Sequence, residues 1–162
     1  LLDTLSGAGS IVIYDEKEDG GDAAGKDDAM DPFKVEIIGR LGAIVDPYLL
    51  TLVPPLFDAI LQRLVEDMLR KVEAAVIRKK FSIVGALKFD SHMRGLLNFF
   101  NARTGQNLSG AFSRLQQLAL ALCAEDGFEV AELWRDGSLI MFSREELRGI
   151  MKNARGFLNV NI

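Results

Sequence analysis

The chain has 162 residues, 49% of them hydrophobic and 26% charged, with a formal net charge of −4. That is a globular balance, enough for one domain or two small ones, and its longest apolar runs are too short for a transmembrane helix. One cysteine, Cys123, excludes an intrachain disulfide, and one cysteine with one histidine, His92, cannot supply the four ligands of a usual zinc site.

The charge is unevenly spread. Residues 15–31, DEKEDGGDAAGKDDAMD, hold eight acids and two lysines, a net −6, so the rest of the chain sums to +2. This ribbon has almost nothing to bury, and residues 1–32 read as an acidic, mostly disordered linker. Ile11–Tyr14 is a short β-like apolar run within it. Gly7-Ala8-Gly9 is a false match to a dinucleotide loop, because it precedes that run and no third glycine opens a helix. The start, LLDTLSG, carries neither Met nor a signal-peptide pattern and reads as cut from something longer.

From Phe33 the pattern turns helical, with Val35, Ile38, Leu41 and Val45 on one stripe and Asp31-Pro32 as a start. Pro47 and then Pro54-Pro55 are expected to break it. The strongest periodicity follows over 57–80, where Phe57, Ile60, Leu61, Leu64, Met68, Leu69, Val72 and Val76 keep helical spacing. Arg63, Glu66, Asp67, Arg70, Lys71 and Glu73 cover its other side. Gly85 marks an expected end. Asp90 is the expected N-cap of the next helix, whose core positions are Met93, Leu96, Leu97 and Phe100.

Thr104-Gly105-Gln106-Asn107 is a turn. A helix over about Leu108 to Glu125 buries Phe112, Leu115, Leu118, Ala119 and Leu122 and stops near Gly127. Phe128 to Trp134 give a short helix, Asp136-Gly137 a turn, and Leu139 to Phe142 a small extended piece. Ser143-Arg-Glu-Glu146 fits a capping box that opens a last helix, and the apolar tail LNVNI is expected to dock. The fold class is therefore all-α, an antiparallel helical bundle with short connections and no repeat.

Candidate chemistry is sparse. Cys123 lies at the edge of an apolar stripe and reads as a core thiol, and His92, in the first turn after Asp90, as a surface residue or local hydrogen-bond donor. No Walker A, EF-hand or HExxH pattern is present. No catalytic residue, cofactor or metal is expected, and the chain is not expected to be an enzyme. Arg144, Arg148, Lys152 and Arg155 share one side of the last helix. That basic face is either solvated or a nucleic-acid-reading element, and missing aromatic platforms and basic loops favour the first.

Arg114 interrupts the apolar stripe of its helix, at the margin beside Leu118. One reading is snorkelling, with the stem packed and the head in water. The other is an ion pair at a helix seam, with Glu146 and Glu145 of the last helix as partners. The periodicity leaves both open. A carboxylate at Glu146 would also be drawn back toward Ser143 by the capping box.

Four stretches resemble one family. They are MDPFKVEIIGRLGAIVDPYLLTLVPPLFDAI (30–60), VEAAVIRKKFSIVGALKFDSHMRGLLNFF (72–100), AFSRLQQLALAL (111–122) and SREELRGIMKNARGF (143–157). Together they are similar, in order and spacing over roughly residues 30–157, to the C-terminal part of subunit 4 of the conserved oligomeric Golgi (COG) complex, a multisubunit vesicle tether. Gln106-Asn107 and Gly149 depart from the family pattern, and residues 1–14 match poorly.

The resemblance implies a rod of helical bundles, with 33–104 as a bundle segment and 105–162 as a small C-terminal helical domain. It implies a peripheral protein on the cytoplasmic face of the Golgi membrane that acts in intra-Golgi retrograde vesicle tethering by protein–protein interaction. Implied partners are the other COG subunits, and Golgi SNARE machinery through an N-terminal part absent here. Neither nucleic acid nor direct membrane insertion is implied. It also links Arg114 with Glu146. The rival reading is a nucleic-acid-binding helical module using the basic last helix.

Overall fold

The computed structural model describes residues 33–157. The acidic ribbon, the Ile11–Tyr14 run and the LNVNI tail lie outside the described residues. A wide π-helical turn, Phe33–Ile38, runs straight into α1, Gly39–Thr51. The chain then forms α2 (Pro54–Val76), α3 (Ile83–Asn101), α4 (Ser109–Cys123), α5 (Gly127–Arg135) and α6 (Arg144–Ala154), with no strand among the described residues. The fold is an all-α helical bundle.

α3 and α4 form the hub. Asn101 at the end of α3 accepts the Leu108 N–H at 3.0 Å, and Phe100 meets Phe112 with ring centroids 6.5 Å apart. At the other end, Arg155 donates to the carbonyls of Phe81 (3.0 Å) and Ala124 (3.1 Å), tying the start of α3 to the end of α4. The two helices are thus antiparallel, as a short connection requires. α2 and α6 pack on α4, and the π-helical turn packs on α3. One connected core runs from Leu41 to Ala154, and its largest fully buried side chains include Phe89, Phe100, Phe112, Leu115 and Met151. Burying each such side chain stabilises the fold by about 1.5–3 kcal/mol before ordering entropy is counted.

Several expectations are corrected. Pro47 does not break α1, which continues to Thr51. A proline removes one N–H from the ladder, and here that local cost is outweighed by the burial of Leu41 and Val45 on the same helix. The real break is at Leu52-Val53, with Pro54 in the first turn of α2, where a missing N–H is harmless. On α2 the buried stripe is rotated. Val65 is fully buried and Ile60 is half exposed.

α3 starts earlier than the capping pattern indicated. Ser82 is the N-cap and accepts the Gly85 N–H at 3.0 Å, so Gly85 belongs to the first turn rather than ending a helix. Asp90 is consequently mid-helix, paired with Arg94. His92 is buried rather than at the surface, and its ring stacks on Phe33 with centroids 3.9 Å apart. Gly127 likewise opens α5, capped by Asp126, instead of ending α4. Leu139 to Phe142 are coiled into turns after Gly137, whose φ of 88° favours glycine.

Candidate functional site

Arg114 sits in the middle turn of α4, with Leu115 and Leu118 buried beside it. Ser109 N–H is taken by Asn107 Oδ1 at 2.9 Å, which satisfies one orphan donor at the helix start. The packing of α2 and α6 on α4 then puts the guanidinium between three other elements. Arg114 Nε donates to Glu73 Oε1 on α2 at 2.8 Å, one NH2 group donates to the Met141 carbonyl, and the other donates to Glu146 on α6. The guanidinium carbon also lies 4.3 Å from the centroid of the Phe142 ring.

The side chains at this node are partly shielded, with 30% of Arg114, 21% of Glu73 and 40% of Glu146 exposed. Partial burial works against the charge on Arg114. Glu73 first, and then Glu146, more than restore it, so its pKa stands above the ordinary arginine value. The group is a permanent cation that clamps four elements. Proton transfer is not open to it at neutral pH.

The turn it holds is gripped from several sides. Gln117, one turn along α4, accepts the Met141 N–H at 2.9 Å, so Arg114 and Gln117 take both backbone groups of one residue. Trp134 Nε1 donates to the Phe142 carbonyl at 3.1 Å, and Arg144 lies over the Trp134 ring at 4.6 Å. These side-chain bonds replace the sheet partners that an extended piece would need. Ser143 caps α6 by accepting the Glu146 N–H at 3.2 Å. The Glu146 carboxylate turns to Arg114, so the half of the capping box on display is the Ser143 hydroxyl on the Glu146 N–H.

Glu145 is not brought to Arg114; it is exposed on the adjacent position of α6. The partner missed by sequence reasoning is Glu73, placed there with the charged side of the long helix. Its signal was weak, since only the packing of α2 against α4 brings residues 41 apart together. Arg144, Arg148 and Lys152, spaced four residues apart, are exposed along one side of α6. Arg144 covers Trp134, Arg148 is engaged, and Arg155 is half-buried against two carbonyls and Phe157, while Lys152 is exposed. Cys123 ends α4 half-buried, and desolvation first of all holds its thiol above the usual range, away from the reactive thiolate.

A second link was also not anticipated. Arg103 forks onto Asp46 of α1, Nε to Oδ1 at 2.6 Å and NH2 to Oδ2 at 3.2 Å, and stacks over Phe99 at 3.7 Å. Gly42 is buried beside this pair, and a Cβ on it would make only ordinary contact, 3.5 Å from Asp46 Oδ2 and 3.8 Å from Phe99. Beside the Arg114 node an open groove of about 570 Å³ runs between α2 and α4, lined by Glu66, Arg70, Asn107 and Gly110 among others. Among the described residues, no group of three or more His, Cys, Asp and Glu is placed to hold a metal, and no helix is long and apolar enough to cross a membrane.

Large apolar side chains are exposed in one contiguous stretch at the corner between α1 and α2. They are Tyr48, Leu49, Leu50 (86% exposed), Val53, Leu56 and Ile60.

The profile of the family "Conserved oligomeric Golgi complex subunit 4, C-terminal" matches residues 15–149 of the chain. Among curated relatives, the conserved oligomeric Golgi complex subunit 4 of Arabidopsis thaliana is 28% identical over 82 residues, which is 51% of this chain and 11% of that protein. The subunit of that name from Dictyostelium discoideum is 26% identical over 110 residues, 67% of this chain and 12% of its own length. The Homo sapiens one is 25% identical over 111 residues, 68% and 14%. The matched part of the chain thus spans 11 to 14% of the length of these relatives. No solved structure matches the chain significantly.

Proposed function

Since the chain belongs to the family of the C-terminal part of conserved oligomeric Golgi complex subunit 4, we propose that it is a non-catalytic segment of a Golgi vesicle-tethering subunit. It acts in intra-Golgi retrograde trafficking, peripherally on the cytoplasmic face of the Golgi membrane, through binding to other COG subunits. In this reading 33–104 is the end of a helical bundle and 105–162 a small terminal domain that shares its core. The ion pair of Arg114 with Glu146, joined by Glu73, is a structural fastening between them. SNARE contacts belong to other parts of such a subunit.

The observation that carries the reading is the apolar corner from Tyr48 to Ile60. Six large aliphatic and aromatic side chains exposed at one corner of the fold support a protein-docking surface there. An enzyme would need convergent acid, base or metal groups, and the polar groups that converge here are tied to one another. The test is co-purification of the tagged chain from cells. Recovery of the other COG subunits is the expected result. Recovery of nucleic acid in their place, released by salt, would favour the basic-helix alternative.

A further inference from the structure

After Val76 the chain turns through Ile77–Phe81 and enters α3 at Ile83. Three consecutive cations, Arg78, Lys79 and Lys80, stand exposed on this turn. The turn is not loose. Asn153 Nδ2 donates to the Ile77 carbonyl at 2.8 Å, the Phe81 N–H donates to the Ala154 carbonyl at 2.8 Å, and Arg155 donates to the Phe81 carbonyl at 3.0 Å. That lashing brings exposed Lys152, one residue before Asn153, to the same corner. Among the described residues, none of Arg78, Lys79, Lys80 and Lys152 forms an ion pair.

The helix leaving this turn is amphipathic in an unusual way. Its inner face carries Gly85, Ala86, Phe89 and Met93, all buried. Its outer face, where a solvated helix would be polar, begins with Ile83, Val84 and Leu87, which are 43 to 55% exposed. Three aliphatic side chains thus follow three cations in sequence, with a fourth cation delivered by α6. The acids Asp126 and Glu129 at the nearby α4–α5 junction accept backbone N–H groups of their own segment, and neither forms an ion pair with a cation of the corner.

We propose that this corner seats the protein on an anionic lipid bilayer surface. Arg78, Lys79, Lys80 and Lys152 meet the headgroup phosphates and carboxylates, and Ile83, Val84 and Leu87 lie at the boundary between headgroups and acyl chains. A nucleic acid would use the cations but leave the aliphatic row in water. Lipid accounts for both halves of the surface, without any segment crossing the bilayer. The inference stands on these residues alone and does not require the tethering reading.

The experiment is sedimentation of the full chain with phosphatidylcholine vesicles and with vesicles containing about 30% phosphatidylserine, at low and high salt. Binding to the anionic vesicles only, weakened by salt, is expected. Each cation near such a surface contributes roughly a fivefold gain in binding, so Lys79→Glu with Lys80→Glu should weaken it about 25-fold or more. Val84→Ser with Leu87→Ser should weaken it too, at unchanged charge. All four positions are exposed, so melting temperatures of both double variants should match the parent, which separates lost binding from lost folding. No sedimentation with anionic vesicles would overturn the proposal. So would binding that Val84→Ser with Leu87→Ser leaves intact, since that describes a site for any polyanion.

Discussion

Arg114 joins α4 to α2, to the turn at Met141 and to α6, and its coupling to each acidic partner can be measured separately. The Glu73 contact is the better shielded, with both side chains 30% exposed or less, so a double-mutant cycle should give it a coupling of about 1–2 kcal/mol. The Glu146 contact is more open and should give under about 1 kcal/mol. Arg114→Ala strands the Met141 carbonyl as well, and its total cost in chemical denaturation should be about 2–4 kcal/mol. Arg114→Lys keeps the charge but cannot fork to three acceptors, and should recover less than half of that. The Asp46–Arg103 pair makes a different kind of prediction. The hydrogen bond from Arg103 chiefly holds the Asp46 carboxyl below its usual value. A depressed folded pKa means that the pair's contribution is complete above the ordinary aspartate value of about 3.9. It is lost as pH falls through the lower folded value. The stability gap between the parent and Asp46→Asn should therefore be constant at neutral pH and close only in acid. A gap that closed as pH rose would contradict the assignment.

At the level of elements, what could be read from the sequence depended on how local the deciding interaction was. The S-x-x-E start at Ser143, the turn at Thr104–Asn107 and the stripe Phe112, Leu115, Leu118, Ala119, Leu122 are set by neighbours within a few residues, and they stand in the structure where the pattern placed them. The start of α3 was misread because two capping residues competed. Asp90 precedes an apolar run, but Ser82 lets Gly85, Ala86 and Phe89 join the core as well, and burial decides. Glu73 and Arg103 were illegible because their partners are fixed by helix packing and not by spacing. The rotated stripe of α2 gives a direct check. Leu61→Ala, at a buried position, should cost about 2–5 kcal/mol. Ile60→Ala, one residue earlier and half exposed, should stay within about 0.5 kcal/mol in the same unfolding assay. Removing the cap with Ser143→Ala should cost about 1 kcal/mol, read as a lowered melting temperature.

For the whole molecule, the described body is a helical bundle whose polar links lie at its helix seams and several of whose large apolar side chains face outward. The α1–α2 corner and the cation-bordered start of α3 are separate surfaces, and each can be altered without touching the core. Family membership and the exposed apolar corner are what support the proposed role in assembly. The most direct test is the affinity of the purified chain for the remaining COG subunits, comparing the parent with Leu50→Asp plus Val53→Asp. Both positions are exposed, so melting temperature should be unchanged while binding falls by at least about 100-fold, as expected when charges are buried in an apolar interface. Binding unchanged in the variant, or no binding by the parent, would contradict the account.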